Sequence, residues 1–407
     1  MFMFLIFLFH YFLIMEAPLQ NYVNSVASAV CSSDIGAQWL SSYIDPAHGQ
    51  CYVFPDEDTN YSCAIRTKNI QAINASTFVS SNYTGNVPDV FNFVIYSLPS
   101  PDVPIAIYGT FYFNRKDSQG QSTIPSSETR LVFITDPQWK GFTEEIQQAR
   151  LLYKGFTLTY TGNAFQNQGF ISSSTYTPVF GDGKVNNGDS GLTITGRYLI
   201  ADYLPTTSRQ VSLMNRDFEV FATADGVYGV NKYTGARSEY VDVENLDDHQ
   251  NVIGFLPDAS GSQYTQMQLT PCYKYEDRFS LSLFGYYYDF DCLCNWNVVA
   301  AAVDGMSSSQ SLLLKFYQGS QIHFKPSSSL VSMQTYKGFL DNAAITAASQ
   351  LNSNLACVYP SNYNDFRMIW GKIRGFLKSN NGRNLVSAIS AAVGPYGSFI
   401  NAAYSLL

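Results

Sequence analysis

Gly188-Asp189-Ser190-Gly191, with His48 and Asp102 upstream, has the residue types of a nucleophilic hydrolase. Ser190 would attack, His48 would take its proton and Asp102 would orient the imidazole; only their geometry can establish such a triad. The motif ends a turn-rich stretch at 181–191, and His48 sits in the turn-like Asp45-Pro46-Ala47-His48-Gly49. A second group, Asp242, Glu244, Asp247 and Asp248, concentrates hard oxygen ligands of the kind that suit Ca²⁺. From the residues alone the favoured reading is a solvated acidic loop. Four histidines in the whole chain (His10, His48, His249, His323) give little basis for an imidazole-bound metal.

A third group lies near the C-terminus. Phe366, Ile369, Trp370, Ile373, Phe376 and Leu377 fall on one stripe at helical spacing. Arg367, Arg374 and Lys378 lie away from it, with Lys372 on the other flank. Such a helix can lie on a membrane, cover nucleic acid with its cations, or pack on a core. From Phe366 onward there are five cations and no acid, whereas the net charge of the chain is -8. That balance excludes generic nucleic-acid binding by the whole molecule, and a tail of opposite sign to its body points to a polyanion or membrane partner.

The elements that would position these groups are mostly strands. Aromatics make up 15% and charges only 14%, which fits many short, half-buried strands with polar loops. The alternation predicts strands near 93–96, 105–113, 130–135, 151–160, 170–176, 192–199, 217–223, 280–290, 296–303 and 311–324. Residues 151–160 and 170–176 read as a hairpin, and 143–148 as one helical turn. Helices are expected at 17–32, 339–353 and 366–378. This pattern predicts a mainly β fold, a sandwich or jelly roll with a short N-terminal helix and C-terminal amphipathic helices.

The seven cysteines include no zinc-type pair and read as reduced, mostly buried thiols. Residues 1–15 are almost wholly apolar, too short to span a bilayer comfortably and without a cationic start. They read as an upstream extension before Met15, or as a weak leader or anchor. Sequons at Asn60, Asn74 and Asn82 favour the second reading.

Several stretches, in order, resemble the coat proteins of nodaviruses and related small icosahedral RNA viruses. They are Ala149-Arg150 through Asn163, Trp296–Gly305, Ser311–Phe316, Ile322–Pro326, and Trp370 through Lys378 followed by a small-residue run with Gly394-Pro395. The resemblance covers most of residues 35–407 and implies a viral jelly roll that self-assembles into an icosahedral shell. It also implies late self-cleavage, with Asp45 in the position of the assisting buried acid; Phe366 occupies the scissile position here, and Asn364 or Asn362 are the nearby substitutes. It further implies Ca²⁺ between subunits, with Glu144, Asp225, Asp242 and Glu244 in the ligand positions. The tail, Arg367, Trp370, Lys372, Arg374 and Lys378, corresponds to a membrane-active peptide. One departure stands out: the basic N-terminal arm of that family is absent, because the first 63 residues contain no Lys or Arg. The tail cations are then the candidates for RNA contact.

The expected layout is a leader or extension at 1–15, an arm with a helix at 16–63, a shell domain with surface loops at 64–337 and a helical tail at 338–407. The expected protein is a virion component, assembled in the host cytoplasm, with viral RNA and a host membrane as partners. Two readings compete. Gly188–Gly191 resembles the nucleophile loop of chymotrypsin-like serine proteases, and the apolar start with its sequons suits a secreted β-sandwich glycoprotein or adhesin.

Overall fold

The computed structural model describes residues 31–361, apart from breaks that include 141–144, 163–167, 187–192, 200–204, 243–250, 258–263, 272–285 and 288–294. Eight strands build a sandwich. They are β1 (Tyr61–Asn74), β2 (Val90–Ser97), β5 (Ile146–Tyr160), β6 (Phe170–Tyr176), β9 (Glu219–Ala222), β10 (Val227–Asn231), β16 (Val298–Ser307) and β17 (Ser311–Phe324). One sheet runs β1-β17-β5-β10 and the other β2-β16-β6-β9. Counted along the chain these orders are 1-8-3-6 and 2-7-4-5, the double Greek key of a jelly roll. β3 (Ile105–Lys116) and β4 (Ser122–Ile134) extend the second sheet beyond β2.

Alternation along each strand drives the layering. Phe156 and Leu158 on β5, Leu312, Leu314 and Phe316 on β17, and Val299, Ala301 and Val303 on β16 meet in one core between the sheets. With side chains alternating, the next residues on β5, β10 and β17 point to the outer face of the first sheet. Part of that face is covered by two helices, α1 (Asp34–Ile44) and α3 (Asn342–Asn354). Trp39, Leu40, Tyr43, Ala344, Ala347 and Leu351 pack there on Tyr153, Tyr228 and Val230. Asp341, fully buried, ties the two helices together. It accepts from the backbone N–H of Ala344 at 3.0 Å and of Ser33 at 2.8 Å, and from the Ser33 hydroxyl at 2.7 Å. A carboxylate at two helix N-termini is electrostatically favoured.

The β6–β9 and β10–β16 connections contribute a third sheet. It contains β7 (Phe180–Asn186), β8 (Thr193–Leu199), β12 (Asn251–Pro257), β13 (Tyr264–Gln266), β14 (Thr270–Pro271) and β15 (Tyr286–Tyr287). A short helix, α2 (Ser208–Leu213), precedes β9, and β11 (Val241–Asp242) pairs with β5. At the margins of the first sheet, β18 (Tyr336–Lys337) pairs with β1, and β19 (Val358–Tyr359) with β10. Cys31, Cys63 and Cys357 are buried free thiols.

Two local expectations are corrected. β5 and β6 are not a hairpin: β5 pairs with β17 and β10, and β6 pairs with β16 and β9 in the opposite sheet. They meet face to face, with Ile171 packed in the same core as Phe156 and Leu158. Residues 146–148 are strand, not helical turn. Ile146 pairs with Phe324 and is buried with Trp139 and Ile322, and tertiary packing overrides the local pattern. The expected helix at 339–353 is present at Asn342–Asn354, whereas 17–30 and 366–378 lie outside the described residues.

Candidate functional site

Asp45 caps the C-terminus of α1, its backbone N–H donating to Ser41 O at 3.0 Å. Its side chain is only 3% exposed. The Tyr228 hydroxyl donates to Oδ1 at 2.7 Å, and His48 Nδ1 meets Oδ2 at 2.8 Å. Pro46 turns the chain so that His48, half exposed, returns three residues later onto the same carboxylate. Burial, followed by the neighbouring Asp45 charge, holds the Tyr228 phenol far above its ordinary range, so Tyr228 remains a neutral donor. The hydrogen bond to Asp45 raises His48 above its usual value against the opposing effect of burial. A buried carboxylate is thereby linked through an imidazole to solvent, an arrangement that can hold and move a proton.

This carboxylate lies beside the segment that leads into the tail. Tyr228 is opposite Tyr359 across the β10–β19 pair, with ring centroids 6.3 Å apart. Burial, and to a lesser degree the charges of Cys357, Asp217 and Asp45, raise the Tyr359 phenol. Two residues on, Ser361 donates to Asp225 O at 2.7 Å. Gly226 makes that approach possible. Its φ is +62°, and a Cβ there would run into Ser361 Oγ and Leu158 O.

A second charged cluster closes the other end of β5. Arg150, 2% exposed, donates to both Asp56 oxygens at 2.5 and 2.8 Å. It also donates from Nε and Nη2 to Gln321 Oε1 at 3.0 and 2.8 Å. Its guanidinium lies between the rings of Phe54, at 4.8 Å, and Tyr240, at 4.2 Å. Tyr240 stacks on His323 and donates to Asp58 Oδ2 at 2.7 Å, and His323 Nε2 meets the same oxygen at 3.0 Å.

The remaining sequence candidates are dispersed. Asp225 is in the turn before β10, whose Val227 is opposite Leu158; Asp242 is opposite Gln148. These β5 positions are ten residues apart (158 − 148), about 33 Å at ~3.3 Å per residue. Asp225 and Asp242 of one chain therefore cannot share an ion. Glu144, Glu244, Asn364 and the tail residues Arg367, Trp370, Lys372, Arg374 and Lys378 lie outside the described residues. No group of three His, Cys, Asp or Glu among the described residues is placed to hold a metal. His48 is oriented by Asp45, while Asp102 and Ser190 lie outside the described residues. Tyr228 and Tyr359 were not legible as site residues, since each reads in the sequence as an ordinary strand aromatic.

The fold is that of a jelly-roll β-sandwich with an inserted third sheet, and solved structures of viral proteins share it. The structure of infectious bursal disease virus, Gx strain, superimposes with a TM-score of 0.50 at 9% identity, covering 82% of this chain and 99% of that one. The VP2 subviral particle of the same virus gives 0.50 at 10% identity, with 82% and 99% covered. T=1 particles derived from that virus give 0.50 at 10%, with 84% and 96% covered. No family model and no curated protein sequence matches the chain.

Proposed function

We propose that this chain is the structural subunit of a small icosahedral virion and acts by self-assembly, not by multiple-turnover catalysis. The observation that carries the reading is the jelly-roll topology, which overlaps nearly the full length of a protein solved as a VP2 subviral particle. Surface chemistry supports it. Leu213, Phe218, Val220 and Phe170 expose apolar area near the free edge of β9, and Val331, Met333, Tyr336, Phe339 and Leu340 do so along one segment. Exposed apolar groups so concentrated suit burial against neighbouring copies.

Within that role, Asp45 is the proton-handling acid of a single maturation cleavage. The Asn364 side-chain amide nitrogen would attack its own backbone carbonyl and close a cyclic imide, the 364–365 peptide bond would break, and Asp45 would pass the proton lost by the attacking amide to the departing Asp365 nitrogen. Support comes from the burial of Asp45 and from its proximity to the 357–361 segment. Ca²⁺ would join subunits, with Asp225 of one copy facing the Glu144, Asp242 and Glu244 region of another, as their separation along β5 requires. The tail carrying Arg367, Trp370, Lys372, Arg374 and Lys378 would act on a host membrane during entry and contact viral RNA, with assembly in the host cytoplasm. Electron microscopy of the expressed chain tests the reading: uniform closed shells are expected, and protein that stays monomeric at all concentrations would overturn it.

A further inference from the structure

The outer face of the first sheet is only partly covered by α1 and α3. Its uncovered part is formed by β1 and β17, where Lys68 is opposite Tyr317 and Ile70 is opposite Lys315. Opposite residues share a face, and positions two apart repeat it, so Arg66, Lys68 and Lys315 project together. Arg66 and Lys68 are exposed, Lys315 is partly so, and Ile70, 52% exposed, lies among them. Lys68 Nζ stands 5.5 Å from the Tyr317 ring centre, and Arg66 Nη2 donates to Ala47 O at 3.0 Å. None of the three cations is ion-paired with a described residue.

The four jelly-roll strands of this sheet differ in charge from the chain. β1, β17, β5 and β10 contain Arg66, Lys68, Arg150, Lys154 and Lys315 and no Asp or Glu, in a protein of net charge -8; Arg150 and Lys154 are buried, Arg150 against Asp56, which leaves Arg66, Lys68 and Lys315 toward solvent. The same sheet ends at β19, from which the chain continues toward the five cations of residues 367–383. That tail is itself cationic, so electrostatics disfavours it as the occupant of this face.

We propose that the Arg66–Lys68–Lys315 face is a phosphate-backbone contact surface for packaged nucleic acid. The inference rests on the capsid reading above and adds to it a second cationic surface, one fixed on the shell. Three cations contribute affinity without sequence preference, since phosphate contacts carry no base information. Ile70 adds exposed apolar area beside them, while Tyr317, 5% exposed, lies beneath Lys68 and helps to fix its position.

The test uses the full-length chain and a 30-nucleotide mixed-sequence single-stranded RNA, with affinity measured across salt concentrations. Each phosphate contact contributes roughly 0.7 to the slope of log affinity against log salt for a single strand. The triple variant Arg66→Gln, Lys68→Gln, Lys315→Gln should therefore lower the slope by about 2. Between 50 and 200 mM salt the wild type should lose roughly 20-fold more affinity than the variant. The charge-retaining triple Arg66→Lys, Lys68→Arg, Lys315→Arg should keep the wild-type slope, which separates loss of charge from misfolding. An unchanged slope in the Gln triple, with shells still forming, overturns this inference alone. Loss of shells in the Gln triple with RNA binding unchanged assigns the face to a neighbouring subunit and also overturns it. Failure of the wild type to form shells overturns the capsid reading instead.

Discussion

Replacing Arg150 with Met should strongly destabilise the subunit, and the structure gives the scale. Breaking a buried ion pair by removing one partner costs about 3–5 kcal/mol, because the other charge is left uncompensated. Asp56 retains 17% exposure, which places the cost toward the lower end. Gln321 loses both guanidinium donors, and its remaining acceptor contact is the Phe54 N–H at 2.9 Å. Two cation–π faces are lost as well, at roughly 0.5–2 kcal/mol each, offset in part by Met packing between the rings of Phe54 and Tyr240. The sum is about 4 kcal/mol, close to a thousandfold change in the folding equilibrium. The assay is urea unfolding followed by tryptophan fluorescence at fixed protein concentration, because assembly itself stabilises the native chain. Asp56→Asn and the double variant complete a thermodynamic cycle, and a coupling of about 2–3 kcal/mol is expected. If Arg150→Met fell within about 1 kcal/mol of wild type, or the two changes were simply additive, the reasoning about this cluster would be refuted.

Three further outcomes follow from the same structure. Asp45→Asn should leave shells intact and abolish cleavage near residue 364, read by intact mass; cleavage at the wild-type rate would remove Asp45 from the reaction. His48, raised by its contact with Asp45, should stabilise the protein fully below its unfolded pKa of about 6.5 and lose that contribution as pH rises through the higher folded value. The stability difference between wild type and His48→Gln should therefore be larger at pH 5.5 than at pH 8, and a difference that grew with pH would contradict the assigned pair. If Ca²⁺ joins subunits, chelator should lower the melting temperature of assembled shells and leave dissociated subunits unaffected; shells indifferent to chelator would exclude the ion.

The strand core was readable in the sequence where turn residues bound a strand. β6 and β17 coincide with their expected spans because Gly169 and Pro178 flank the first, and Ser307–Ser309 and Pro326 the second. The pairing of β5 was not readable. A strand followed by a nine-residue connection and another strand looks the same whether the chain makes a hairpin or crosses the sandwich. Only the meeting of Phe156 and Leu158 with Ile171 decides it. No helix was expected at 34–44, where α1 lies. Its start depends on the Ser33 cap and on Asp341, more than three hundred residues away, and no local window contains that contact. The site shows the same division. The resemblance singled out Asp45 but not the side chains that meet it. The competing triad reading pairs His48 with Asp102, and Tyr228 carries no sequence signal that sets it apart. Their convergence is a product of the turn at Pro46 and of the register of β10.

On the proposed reading this jelly roll builds a closed shell with the outer face of its first sheet, which carries α1 and α3, turned toward packaged nucleic acid. A cryo-electron microscopy reconstruction of particles from the expressed chain tests it most directly. Closed icosahedral shells are expected, with Arg66, Lys68 and Lys315 on the inner surface against nucleic-acid density. Shells with that face turned outward to solvent, or preparations with no closed particles, would contradict it.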